Sequence, residues 1–346
     1  MDNFIGILVA ILAINVIVFV HESGHYLVGR ATGLLIEEFA IGMGPKIFSW
    51  KRNEIVYSLR ILPLGGFTRF FGEDQDNPDP RALNRQKPWK RALTLFAGSA
   101  FNIMFAIVLA VVTLLVFGNR VDTYPARLAQ VQPNAPAQIA GLQAEDEIVA
   151  VNGLPVADMF DVQDIIGDAS KPVEITYKRA GVENTVTVVP QFDAELNRYL
   201  IGVTFPHEIQ REYFGFFGTV GRSFGYVYQI LKENLIAIYN IIFRFQGAEN
   251  VGSVVMVVDV LRMAAISSFE WLLHITLAIS AGLGLMNLLP FPALDGSRLV
   301  FVAIEAIRRK PVNPKTEGMI HLVGMAVLLG LFVLLAYKDI VKLFGG

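Results

Sequence analysis

The sequence predicts a polytopic α-helical membrane protein of about four transmembrane helices, with a β-hairpin region after the first span and one inserted α+β domain. Three observations carry that expectation. Hydrophobic residues make up 53% of the 346 and charged residues only 17%, against about 25% charged in an ordinary soluble domain. Four apolar runs approach the ~20 residues that cross a bilayer. Between the second and third runs, from Thr123 to His207, the composition becomes that of a soluble domain, with short alternating stretches separated by Gly, Pro and Asn.

The first run, Ile5 to Val20, has no basic segment and no small-residue cleavage site, so it reads as a retained span rather than a signal peptide. Extended through Gly29 it makes about 26 residues, roughly 39 Å of helix, enough to cross with tilt. The other spans are expected at Ala92 to Phe117, Trp271 to Leu289 and Met319 to Tyr337.

The loop from Arg30 to Arg91 holds eleven Lys or Arg, and the stretch after Asp295 holds Arg298, Arg308, Arg309, Lys310 and Lys315. Positive charge collects on the cytoplasmic side. The N-terminus, the inserted domain and the C-terminus are therefore expected outside the cytoplasm. Within the first loop, the alternation of Glu54 to Arg60 and turn signals at Gly42, Gly44-Pro45 and Leu64-Gly65-Gly66 predict β-hairpins, and Glu73 to Pro80 reads as a mobile loop.

The inserted domain shows strand-like runs at Ala126 to Val131, Glu147 to Val151, Val173 to Arg179, Asn184 to Val189 and Tyr199 to Phe205, with a helix near Ala135 to Ala140. After it, apolar residues from Phe217 to Ile242 recur at helical spacing, which predicts an amphipathic helix at the membrane interface or against the bundle. The boundaries are 1–117 (first span, cytoplasmic loop, second span), 118–208 (extracytoplasmic domain), 209–268 (amphipathic segment) and 269–346 (C-terminal membrane part).

Net charge is −2 and no basic stripe is visible, which excludes nucleic acid as a partner. The chain has no Cys, so a metal would have to be held by His and carboxylates. His21-Glu22-Ser23-Gly24-His25 matches H-E-x-x-H. On a helix, residues four apart share a face, so both imidazoles can reach one metal while Glu22 addresses the attacking water. Three ionisable groups inside an apolar span are costly and presumptively functional. Gly24, a poor helix residue, signals close packing or a local distortion.

A catalytic zinc site needs a third protein ligand and one open position. The candidates are His274, His321, acids of the first loop and Asp295. His274 reads as a packed core residue, His321 as interfacial and His207 as solvated. Asp295 closes the run Asn287-Leu-Leu-Pro290-Phe-Pro292-Ala-Leu-Asp295-Gly296, where prolines interrupt the helix ladder. Alone, it reads as the N-cap of the next helix. Charge bias puts it at the depth of HESGH, and on that ground Asp295 is the expected third ligand.

These motifs together resemble the site-2-protease family of intramembrane zinc metalloproteases, in its bacterial RseP-like branch with a single PDZ domain. Gly98-Ser-Ala-Phe101-Asn102, Leu64-Gly65-Gly66 and the run Val131 to Gly153 also resemble family and PDZ signatures. The resemblance implies one Zn2+ per chain on His21, His25 and Asp295, Glu22 as acid/base, and Asn287, Gly65 and Gly66 at the substrate. It implies that the hairpins form a membrane-associated β-structure able to add the substrate as a strand. Asn102 would support the site or hydrogen-bond between helices. Tyr199 to Phe205 would edge a peptide groove with Gly202 in its carboxylate-binding turn, or the PDZ-like domain would act as a steric filter. The implied partners are the lipid bilayer, single-span membrane substrates of the anti-sigma-factor or remnant-signal-peptide type, and a peptide or protein ligand of the PDZ-like domain. The implied location is the plasma or inner membrane, with the active site toward the cytoplasm. A membrane-anchored zinc protease of soluble peptides and a non-catalytic PDZ-bearing scaffold are the competing readings.

Overall fold

The computed structural model describes residues 3–73, 77–194, 196–247, 251–310, 312 and 314–344; residues 74–76 of the acidic, proline-rich loop lie outside them. The chain divides into two compact units, Met1–Val116 with Phe214–Gly346, and Phe117–Tyr213. In chain order the elements are α1 (Asn3–Thr32), β1 (Ile36–Arg52), β2 (Ile55–Phe70), α2 (Pro88–Phe117), β3 (Asn119–Thr123), β4 (Gln130–Val131), α3 (Pro136–Ile139), β5 (Glu147–Val151), β6 (Leu154–Pro155), α4 (Met159–Gly167), β7 (Val173–Arg179), β8 (Val182–Val188), β9 (Gln191–Asp193), β10 (Arg198–Leu200), β11 (Val203–Thr204), β12 (Glu208–Glu212), α5 (Phe216–Tyr239), α6 (Val254–Ser267), α7 (Phe269–Asn287), α8 (Asp295–Arg308) and α9 (Pro314–Phe344).

Among the described residues, four helices are long and apolar enough to cross a membrane: α1, α2, α7 and Thr316–Asp339 within α9. They lie where the apolar runs predict; α1, α2 and the last span extend beyond their runs, while α7 begins at Phe269 and stops at Asn287, two residues before the expected end. α1 and α2 approach backbone to backbone. A Cβ on Gly24 would stand 2.5 Å from the Ala97 carbonyl oxygen and 3.0 Å from the Gly98 Cα, so the glycine is there for close packing, the small-residue contact typical of membrane helices. Farther along, Ala106 and Ala110 of α2 pack with Leu277 and Ala281 of α7 and Val227 of α5. α5 buries Thr219, Ser223 and Val227 and leaves Phe217, Phe224, Tyr228 and Leu235 of its apolar stripe exposed, and its last turn widens into a π-turn over Asn240–Arg244, closed by Phe245 in the left-handed region.

The first loop forms one long, curled hairpin rather than several. Its register shows β1 pairing twice with β2: Phe39 opposes both Tyr57 and Thr68, and Ile41 both Leu59 and Gly66. The opening third of β1 is thus flanked on both sides, and Gly66–Phe70 forms an outer strand. Thr68 of that strand donates to the Glu22 carbonyl at 3.0 Å, tying the sheet to α1. Inside the hairpin, Glu38 is buried and accepts from Ser58 (2.6 Å) and Arg60 (2.8 Å), with Lys46 at 3.1 Å. Burial pushes its carboxyl up, but these donors outweigh burial and hold it below the ordinary carboxylate range. Its contribution to the hairpin is therefore present at neutral pH and lost as pH falls through that lowered value.

The second unit is built around the sheet β6-β5-β7-β8. Leu128, Ile148, Val151, Val162 and Ile175 fill its core, and Asp158 caps α4 by accepting from the Phe160 and Asp161 amides. The strand expected at Tyr199 to Phe205 is broken in two around Gly202, whose φ is +76°. β3 and β12 pair antiparallel, Glu208 opposite Thr123. His207, expected to be solvated, is exposed, and it lies 2.9 Å from Asp122 and stacks on Tyr124.

Candidate active site

His21 and His25 are buried one turn apart on α1. Their Nε2 atoms are 3.2 Å apart, and each is 3.2 Å from Oδ2 of Asp295. A zinc ion held tetrahedrally at about 2.0 Å needs ligand atoms roughly 3.3 Å apart. The triangle has that size. Asp295 Oδ2 is buried with no hydrogen-bond partner, as an oxygen reserved for a cation would be. Among the described residues, these three form the group able to hold a metal ion, and the two nitrogens and one oxygen suit zinc. His274 and His321 do not join it.

α2 makes the room. A Cβ on Gly98 would collide with His25 Nε2 and would stand 2.8 Å from His21 Cε1. Four residues earlier on the same stripe, the Thr94 carbonyl lies 2.8 Å from His25 Nδ1, so an Nδ1–H donated there leaves Nε2 free for a metal. Neither role was visible in the sequence, because one belongs to a missing side chain and the other to a main-chain oxygen.

Asp295 arrives by a strained route. Leu294 is the N-cap of α8 and Asp295 its first residue, which corrects the reading of Asp295 as the cap itself. Ala293 sits at φ +81°, a conformation costly for a residue with a Cβ. Its N–H donates to His321 Nδ1 at 3.1 Å. His321, expected to be interfacial, therefore props from α9 the loop that carries Asp295. Gly296 passes so close to Leu288 and Leu289 that any Cβ would meet their carbonyl oxygens. Two largely buried ion pairs hold α8 in place, Arg91 to Glu305 and Arg298 to Glu73, both at 2.6 Å.

Glu22 lies beside the outer strand of the hairpin: a Cβ on Gly66 would stand 3.4 Å from Glu22 Cγ. Asn287, at the end of α7, brings Nδ2 within 3.4 Å of His21 Nε2. Asn102 is fully buried with Nδ2 3.4 Å from His21 Nδ1. Gly65 adopts φ +86° over Met43. Asn287 and Asn102 thus border the triangle at His21, and Gly66 borders Glu22. His274 hydrogen-bonds with Tyr226 of α5 at 3.1 Å, the packed role its position predicts. In the second unit, Gly202 accepts from the Gln132 amide and lines a cavity of about 250 Å³ together with Val162, Arg198, Ile201 and Phe205.

An H-E-x-x-H pair on one bilayer-length helix, joined by a carboxylate from far along the chain, defines a membrane zinc metalloprotease. Comparison with known proteins gives the family. Residues 9–331 match Peptidase family M50, and the chain belongs to that family, the site-2-protease zinc metalloproteases. A Clostridium perfringens protein named as a candidate zinc metalloprotease is 33% identical over 97% of this chain and 98% of its own length. Zinc metalloprotease RasP of Geobacillus kaustophilus is 30% identical over 96% of this chain and 97% of its own. A solved PDZ domain of the SdrC-like protein from Listeria monocytogenes aligns with 25% of this chain and 88% of that domain, at 22% identity and a TM-score of 0.22.

Gly98→Ala is expected to lower zinc affinity by at least an order of magnitude, the scale at which disturbing a ligand's support is felt. Gly225→Ala in α5, whose Cβ meets open space, should leave zinc unchanged and stabilise the helix by about 0.5–1 kcal/mol. Metal content and thermal unfolding of the two purified variants check both.

Proposed function

We propose that this zinc metalloprotease cuts single-span membrane proteins within or at the edge of the bilayer, near its cytoplasmic side. One zinc per chain would be held by His21, His25 and Asp295. The observation that carries the reading is the 3.2 Å triangle of two Nε2 atoms and one carboxylate oxygen on a helix of spanning length. When bound, the metal supplies a Lewis acid that acidifies water to a pKa of about 7.

The chain's own groups then have separate tasks. Glu22 takes the proton of the attacking water and delivers it to the leaving amine nitrogen, general acid–base work of about 10²–10⁴-fold. Asn287 Nδ2, close to the same point, donates to the carbonyl oxygen and orients the scissile bond. A substrate helix has its amides satisfied internally and must unwind before a carbonyl is presented. The outer strand Gly66–Phe70, beside Glu22, offers the backbone on which an unwound segment can pair as an added strand. Exposed Ile47, Phe48, Trp50 and Ile61 suit a hairpin that enters the lipid, and aromatic residues of this kind favour the interface. Substrates of the anti-sigma-factor or remnant-signal-peptide type fit such a site, with the PDZ-like unit selecting them by its Gly202 cavity or by exclusion.

Glu22→Gln is expected to keep the fold and the zinc while cleavage of a single-span substrate falls about 10²-fold or more; full activity in that variant contradicts the reading. A soluble peptide cut as fast as its membrane-embedded counterpart would favour a membrane-anchored protease of soluble peptides. Topology can be read directly because the chain has no Cys. A cysteine at Arg85 should react with an impermeant thiol reagent only from the cytoplasmic face, and one at Asn184 only from the opposite face. The reverse pattern would invert the proposed orientation.

A further inference from the structure

Asn102 is wholly buried in α2, its Nδ2 lies 3.4 Å from Nδ1 of His21, and its Oδ1 is buried with no hydrogen-bond partner. With the amide turned that way, the ring nitrogen facing it would have to be an acceptor. The single proton of neutral imidazole would then sit on Nε2, the atom that points into the triangle with His25 and Asp295. Amide oxygen and nitrogen differ only in what they bond, so the orientation follows from the partners. Exchanging the two ends gives Oδ1 a donor, His21 Nδ1–H, and frees the Nε2 lone pair.

We infer that Asn102 is a positioning residue: its amide oxygen accepts the Nδ1 proton of His21 and so fixes the tautomer and ring orientation in which Nε2 can bind zinc. The inference rests on the proposed zinc ligands and deepens that reading. The neighbouring ligand provides the internal parallel. His25 Nδ1 meets the Thr94 carbonyl at 2.8 Å, so each histidine has an oxygen of α2 behind it. The two supports and the glycine between them, at 94, 98 and 102, lie on one helical stripe at i, i+4 and i+8. α1 and α2 run antiparallel, so position 94 serves His25 and position 102 serves His21. Ser280 donates to the main-chain oxygen of Asn102 at 2.9 Å, a bond that any residue at this position retains. The α2–α7 contact thus does not depend on the amide.

The test compares full-length protein in detergent, wild type against Asn102→Leu and Asn102→Asp, by competition for zinc with a chromophoric chelator. Leucine keeps the volume and removes the acceptor; aspartate keeps the acceptor. Loss of an outer partner to a metal-bound histidine costs about 10–100-fold in affinity, so Asn102→Leu should fall by that factor while Asn102→Asp binds as tightly as wild type or tighter. Wild-type affinity in Asn102→Leu overturns the inference. An Asn102→Asp variant as weak as Asn102→Leu also overturns it, since packing would then account for both. Failure of the wild type itself to bind zinc would overturn the ligand assignment, and this inference with it.

Discussion

Two glycines facing each other across α1 and α2 set the geometry on which everything else depends. With hydrogen at Gly24 and Gly98, the helices meet main chain to main chain, and the imidazoles of His21 and His25 have room between them. The same closeness brings main-chain and amide oxygens of α2 within reach of the Nδ1 atoms. In lipid, where apolar surface gives no net drive for helix association, contact of this kind and the polar bonds it permits are what hold a bundle together. A larger residue on either face would separate the helices and disperse the site at once.

The third donor is secured differently. Asp295 is reached through a loop that stores strain at Ala293, a left-handed residue costing on the order of 1–3 kcal/mol, and that threads Gly296 against its own carbonyls. The cost is met from several directions: the Ala293 amide on His321, the Arg298–Glu73 and Arg91–Glu305 pairs, and the fold of α8 itself. Ion pairs this buried contribute little net stability, because desolvation offsets their attraction. What they fix is position, so a carboxylate is in place beside two imidazoles.

Much of this was legible in the sequence. His21, Glu22 and His25 declared themselves by their spacing, and the four spans by length and apolarity. Asp295 emerged once Lys and Arg asymmetry gave both motifs a common depth, a physical argument independent of the resemblance. Most of the parts that escaped have no local signal. The Thr94 carbonyl is main chain, which no residue letter records. His321 acts on a loop 28 positions away, and its spacing says nothing of that partner. α6 and α8 are merged with their surroundings in the sequence reading: the cap signal of α6, Gly252-Ser253, goes unread there, and α8 begins inside a motif read as a ligand loop. In the second unit the break at Gly202 turned one expected strand into two, because a glycine's freedom shows only in the folded φ. β3 and β12 join residues 85 apart in the chain, beyond what any periodicity reveals.

The most direct test of the account is the zinc environment of purified wild-type protein and of Asp295→Ala, measured by X-ray absorption at the zinc edge. One zinc per wild-type chain is expected, bound only by nitrogen and oxygen at about 2.0–2.1 Å, with outer scattering from two imidazoles, and its loss or marked weakening in Asp295→Ala. Zinc retained unchanged without Asp295, or a wild-type site showing three imidazoles, would contradict it.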